Sequence, residues 1–373
     1  RQLRRTAMAA ATGYWGKAKP YVAIIGLQFG YAGSYIISIM GMKRGMSNFV
    51  LVVYRHLVAA VAIAPFAFFL ERKTRPKMTT STFLKILAMG FLEPVLDQNL
   101  YFLGMKKTSA TYSSAFVNLL PALTFILAAI FRLEKINIKR TASQAKVIGT
   151  VVTVTGAMVM TLYKGPIVDL VWTRASSPHN VTATDNHHWF IGTLMLIASA
   201  SSWAAFFIVQ SFAVRDYPAE LSLTWLICAV GLVETGAVAV VMEHRLSAWA
   251  IGWDSRLLAP IYTGVVCSGL AYYLQGMVTK TRGPVFVTAF APLCMIITAT
   301  LGTFILADEL HLGSIIGATV IVIGLYSVVW GKNKDRSSSS AMNNDDCNKQ
   351  ELPIVNTTMK PENGSHGTLN SQG

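Results

Sequence analysis

Apolar positions along this chain gather into long runs separated by short polar stretches. Ten runs reach membrane-spanning length: 20–42, 49–70, 82–105, 110–132, 145–163, 189–213, 219–242, 255–279, 284–307 and 312–331. Crossing hydrocarbon as a helix takes about 20 apolar residues, so the pattern predicts an all-α polytopic membrane protein with ten transmembrane helices. One polar stretch breaks the rule. Glu93-Pro94-Val95-Leu96-Asp97-Gln98-Asn99 lies in the middle of the third run, Phe83 to Met105. A charge at that depth costs about 3 kcal/mol and is kept where it faces a protein interior or a watery cavity. Glu93 and Asp97, four apart, share one face of a helix. The stretch reads as a substrate or ion site, against the plainer alternative of a solvated helix end or a structural hydrogen-bond knot.

The runs repeat. Ile148-Gly149, Gly156 and Lys164 answer Ile316-Gly317, Gly324 and Lys332 with identical spacings, and Tyr101-x-x-Gly104-Met105 answers Tyr273-x-x-Gly276-Met277. The offset of 168–172 residues sets helices 1–5 against helices 6–10. Five is odd, so the second copy enters from the opposite side, as in the inverted repeats of secondary transporters, where the solute site sits near the midplane between copies.

Charge fixes the expected orientation. With a cytoplasmic N-terminus and alternating loops, 20 of the Lys and Arg residues flanking the runs fall inside and 8 outside. The positive-inside rule therefore puts both termini in the cytoplasm. The longest loop then lies outside and carries Asn180-Val181-Thr182, a glycosylation sequon at Asn180.

Composition agrees with a membrane protein: 53% hydrophobic and 13% charged, with mean hydropathy +0.47, against about 25% charged in soluble domains. The net charge of +14 sits at the ends of apolar runs, so the bilayer is its partner and nucleic acid is not. Four cysteines without a CxxC pair indicate neither a disulfide framework nor a zinc site. No cofactor or metal is called for, and HExxH, GxSxG and P-loop patterns are missing in plausible context, so the chain reads as no enzyme. The basic start has no apolar core before Tyr21, unlike a cleavable leader. Met8 looks like a natural start, which would leave residues 1–7 upstream.

Counting inward at about 1.5 Å per residue puts Glu93, Gln28, Asn118, Trp203 and Glu234 near mid-membrane. Asp97, Gln98 and Tyr101 fall in the outer half, Gln210 and Gln275 in the inner half. Candidate solute contacts are thus Glu93, Asp97, Gln98, Gln28, Asn118, Trp203 and Gln275. Gln28 and Asn118 serve equally well as hydrogen bonds between helices, and Trp203 as packing. Arg55 and His56 read as structural, with Arg55 snorkelling outward or pairing with Asp97. Gly26-x-x-x-Gly30 and Gly313-x-x-x-Gly317 read as close helix contacts. Pro65, Pro94, Pro121 and Pro292 interrupt spans and free carbonyls that can line a cavity.

Several stretches resemble a known family: Leu27-Gln28-Phe29-Gly30-Tyr31-Ala32-Gly33, Glu71-Arg72-Lys73-x-Arg75-Pro76, Glu93-Pro94-x-x-Asp97-Gln98-Asn99, Thr161-Leu162-Tyr163-Lys164-Gly165-Pro166, Arg282-Gly283-Pro284-Val285-Phe286 and Gly324 to Lys332. They are similar to the plant nodulin-21-like, walls-are-thin-related branch of the drug/metabolite transporter (EamA) superfamily over residues 17–335. The resemblance implies two inverted five-helix EamA repeats, at 20–164 and 189–332. Around them lie a basic cytoplasmic N-terminus (1–19), an extracytoplasmic loop (165–188) and a cytoplasmic tail (333–373) whose composition reads as disordered. It also implies a plasma-membrane transporter moving amino acids bidirectionally, mainly as export, by alternating access without a coupled ion. Alternatives are carriage of auxin or another metabolite, a vacuolar location, proton coupling through Glu93, and, in another class, a receptor or scaffold. A homodimer is left open.

Overall fold

The computed structural model describes residues 2–108, 113, 116–134, 137, 139–163, 186–252, 255–305 and 312–349; all are in helices, turns or short connections. In chain order the helices are α1 (Gln2–Lys43), α2 (Asn48–Leu70), α3 (Thr80–Gly90), α4 (Gln98–Lys107), α5 (Leu120–Ile130), α6 (Thr141–Leu162) and α7 (Asn186–Asp216). They continue with α8 (Glu220–Met242), α9 (Leu246–Trp249), α10 (Ser255–Tyr262), α11 (Ala271–Arg282), α12 (Pro284–Ala289), α13 (Ala291–Ile305) and α14 (Leu312–Lys349). A π-helical stretch, Phe91–Asp97, joins α3 to α4, and another, Thr263–Leu270, joins α10 to α11.

Among the described residues, eight helical stretches are long and apolar enough to cross a membrane, and Leu120–Ile130 is a shorter apolar helix. The third run, Thr80 to Lys107, is continuous helix only through its π stretch. Large apolar side chains stand exposed on the outer faces of α2 (Val61, Phe69), α8 (Val233, Val240) and α14 (Ile323, Tyr326), as faces turned to lipid require. α14 continues to Lys349, into the segment whose composition reads as disordered. Asn180 and its loop lie outside the described residues.

Local signals set the helix ends. Gly45, at φ +84°, closes the turn before α2. The Thr79 hydroxyl accepts from the Thr82 N–H at the start of α3. Gly283, also at φ +84°, ends α11, and Pro284 opens α12 at a position where its missing N–H costs nothing. Glu71 reaches the start of α8 and accepts from the Leu221 and Ser222 N–H groups at 3.0 and 2.7 Å, which satisfies orphan donors at that terminus.

The two copies meet along α6 and α14. A Cβ built on Gly149 would lie 2.7 Å from the carbonyl oxygen of Gly324, and one on Gly317 would lie 2.7 Å from that of Gly156. Gly331 faces Ala142 and Gly313 faces Tyr163 in the same way. Rising numbers on α6 thus meet falling numbers on α14, so the two helices run antiparallel. With Gly149 equivalent to Gly317 and Gly156 to Gly324, the Gly149–Gly324 contact maps onto the Gly317–Gly156 contact. The glycines of Gly313-x-x-x-Gly317 therefore serve close packing as expected. In Gly26-x-x-x-Gly30, Gly30 faces Val266, but a Cβ on Gly26 would meet nothing within 4 Å. That expectation is corrected: Gly26 lies at no tight contact.

Candidate functional site

The π stretch creates the site. Proline has no N–H and its ring crowds the carbonyl four residues back, so Pro94 disfavours a regular α turn. The chain widens instead, and the Gln98 N–H reaches back five residues to the Glu93 carbonyl. The Asn99 side chain donates to the carbonyl of Val95 at 2.7 Å, supplying a partner inside the widened turn. The second copy widens at the corresponding place: the Ala271 N–H reaches the Val266 carbonyl. Such bulges inside α-helices are frequent at functional sites. The offset of 172 residues matches Glu93 to Val265 and Asp97 to Gly269, so only the first copy carries the acids.

Glu93, 3% exposed, is the hub of a buried network. Its Oε1 accepts from the Arg55 guanidinium at 3.2 Å and from the Gln98 amide at 3.3 Å. Its Oε2 accepts from the Tyr272 hydroxyl, and His56 Nε2 stands 3.9 Å away. Arg55 Nε donates to the Ser268 hydroxyl of the second π stretch at 2.6 Å. The network therefore joins α2 and both π stretches with the start of α11. The expected pairing of Arg55 with Asp97 is corrected: Arg55 turns inward to Glu93. Asp97 instead accepts from the Ser199 hydroxyl of α7 at 2.6 Å.

These groups border a cavity of about 500 Å³, within the roughly 300–1,000 Å³ usual for small-molecule sites. Of the residues singled out by depth, Glu93, Asp97, Gln98, Gln28, Trp203, Gln275 and Tyr101 line it. Asn118 does not, although its neighbours Val117 and Leu120 do. It is buried in the helix packing instead. Glu234 and Gln210 also lie off the cavity: Glu234 Oε2 sits against Gly90, and the Gln210 amide donates to the Tyr272 carbonyl at 3.3 Å. The charged side chains on the described wall are Arg55, Glu93 and Asp97. The Gln275 amide donates to the Tyr31 hydroxyl at 2.5 Å. Trp203 stands edge-on to Tyr31, with centroids 6.5 Å apart, and beside Phe207 at 6.3 Å.

One end of the cavity extends to Met42, Met105, Thr161 and Ser314 at helix ends. Near the other end, Tyr21 packs edge-on against Phe286 at 5.2 Å, Phe286 against Phe290 at 5.2 Å, and Arg282 lies over both Tyr21 and Phe286. Glu134 accepts from Lys146 and from Lys332, each at 2.7 Å, tying the first copy to the end of the second. No group of three or more His, Cys, Asp or Glu suited to a metal ion occurs among the described residues.

Sequence reasoning missed Arg55, Tyr272 and Ser268 as partners of Glu93. The one available signal was the repeat offset, which sets Leu100 opposite Tyr272 and so marks a polar group inserted at the equivalent turn.

Among the described residues, an all-helical bundle built from two copies around an apolar-walled cavity with three charged side chains has the architecture of a membrane transporter. The chain belongs to the EamA-like transporter family, whose pattern matches residues 18–162 and again 190–330. Its relatives narrow this to the plant WAT1-related branch. Three WAT1-related proteins of Arabidopsis thaliana are 58%, 55% and 53% identical, over 94%, 93% and 94% of this chain and 95%, 94% and 92% of theirs. A solved crystal structure, 16% identical, matches with TM-score 0.63 over 83% of this chain and 98% of its own, which supports the fold alone.

Proposed function

We propose that this chain carries amino acids across the plasma membrane in both directions, mainly outward, as a facilitator working by alternating access. The observation that carries the reading is the cavity's charge pattern: a guanidinium and two carboxylates share one apolar-walled chamber. A zwitterion needs both. Its carboxylate suits the Arg55 donors left over from Glu93 and Ser268, since a guanidinium has five, with Gln28 and Gln275 beside them. Its ammonium suits the acidic side formed by Glu93, Asp97 and Gln98.

The Thr80–Lys107 helix with its π stretch and the short Leu120–Ile130 helix, added to the eight apolar stretches among the described residues, support the reading of ten spans. The antiparallel, reciprocal contact of α6 and α14 supports an inverted relation between the copies. The Lys and Arg distribution supports cytoplasmic termini. In that orientation the cavity's lining reaches the outer helix ends at Met42 and Met105, and the Tyr21–Phe286–Phe290 cluster stands on its cytoplasmic side, which supports the reading of an outward-facing state.

The aromatic wall of Tyr31, Trp203 and Phe207 favours a second reading, an aromatic carboxylate such as auxin. Proteoliposomes loaded with labelled glutamine or labelled indole-3-acetic acid separate the two. Efflux of glutamine above empty vesicles, lost in Arg55→Gln that still inserts, supports the first; efflux of the indole acid alone replaces it with the second.

A further inference from the structure

Glu93 and Asp97 enter the cavity as two acids, but their surroundings differ. Glu93 has a cation at 3.2 Å and neutral donors on both oxygens. Asp97 is 6% exposed and has one hydrogen bond, from Ser199 to Oδ1. Among the described residues no Lys, Arg or His lies within ion-pair distance of it. Its other oxygen, Oδ2, is not among the fully enclosed atoms lacking a partner, which leaves it on the cavity that Asp97 lines. The wall thus carries one positive and two negative charges, and the negative charge left over sits at Asp97. An uncompensated buried charge is expensive, and the relief available is a positive group from the cavity itself.

The groups around Asp97 do not supply one. Glu93 lies on its own π stretch, and Arg55 and His56 of α2 face Glu93. α4 turns Tyr101 to the same cavity, and α7 gives the Ser199 hydroxyl. On α8, packed against the other side of the bulge, Glu234 sits against Gly90, and the thiol of Cys228 is turned to the Ser268 carbonyl. The Cys267 thiol lines the cavity from the second π stretch.

We propose that Asp97 is the exchangeable-charge site of the cavity: its carboxylate holds a proton while the cavity is empty and an amino acid's ammonium group when it is loaded, the two excluding each other. Loading then releases one proton from Asp97 to the cavity water and unloading takes one up, so an exchange of one proton for each amino acid replaces the facilitator of the proposed function. Glu93, already matched by Arg55, positions that guanidinium. The ammonium half rests on the amino-acid reading above; the proton half does not.

The test uses the full chain in proteoliposomes with labelled glutamine, whose own charge is constant between about pH 5 and about pH 8. The wild-type half-saturating concentration should rise several-fold from the higher pH to the lower, and glutamine binding to detergent-solubilised protein should release about one proton each. Asp97→Asn should lose both effects, and Asp97→Glu should restore the pH dependence. Glutamine flux with a pH-independent half-saturation, or a pH dependence that survives in Asp97→Asn, overturns the proposal. Wild type moving no glutamine at all removes the amino-acid reading instead. The infrared difference band of a protonated carboxyl then decides the proton half: present in wild type and missing in Asp97→Asn upholds it, and absent from wild type overturns it. Proton release needs no variant and Asp97→Glu should shift the wild-type band, so a poorly folding Asp97→Asn leaves the result readable.

Discussion

Removing the Arg55 guanidinium offers the sharpest test of the Glu93 network. At 3.2 Å and an effective dielectric of about 20, the direct attraction is roughly 5 kcal/mol. Desolvation of both ions offsets much of that, so the pair adds little net stability, yet removing one partner strands the other at a cost of about 3–5 kcal/mol. Arg55→Gln also shortens the side chain away from Ser268, losing a hydrogen bond worth about 1 kcal/mol. It leaves Glu93 with no cation on the described wall. Glu93→Gln is the milder change, because the glutamine oxygen can still accept from Arg55 and the Ser268 hydrogen bond remains. Arg55→Gln should therefore destabilise by about 4–6 kcal/mol and Glu93→Gln by less. The double variant should cost well under the sum, with a coupling of about 2 kcal/mol. Reversible unfolding of the four proteins in mixed micelles with a denaturing detergent gives each term. A coupling below about 0.5 kcal/mol, the scatter expected of independent sites, would refute the network as described.

Other outcomes follow from the packing. Gly324→Val places side-chain atoms against the Thr153 N–H and the Gly149 carbonyl and should abolish the monodisperse peak in fluorescence-detected size exclusion. Gly26→Ala, with open space at its Cβ, should keep that peak and gain up to about 1 kcal/mol from helix propensity. Glu134→Ala removes the carboxylate that Lys146 and Lys332 share and should cost about 1.5–3 kcal/mol in the same unfolding assay, whereas Lys280→Ala, in a half-exposed pair with Glu220, should cost under about 1 kcal/mol.

What could be read from the sequence was depth and repetition. Glu93 and Asp97 stood out because acids inside an apolar run carry a cost, and the glycines at 149, 156, 317 and 324 stood out by their spacing. Rotation about each helix axis was not readable. Asn118 sits at the same depth as Gln28, yet only Gln28 faces the cavity, since depth counts residues while facing depends on how neighbours pack. For that reason neither expectation for Arg55, snorkelling outward or pairing with Asp97, named its partner Glu93, which is chosen by the turn of α2 against the bulge. The bulge was itself hidden: Pro94 announced a disturbance, but nothing in an apolar run separates a kink from a widened turn. Its counterpart at Thr263–Leu270 has no internal proline at all.

The glycine seam between α6 and α14 has one more consequence. Each copy presents a flat backbone patch at one glycine and receives its counterpart's patch at the other, so each holds both halves of a self-complementary clasp. Side chains close around that clasp: Ser327 stands beside Gly149, Val320 beside Gly156, Met160 beside Gly317 and Thr153 beside Gly324. They key the two helices to one register, so each copy fits its counterpart only in this antiparallel pairing.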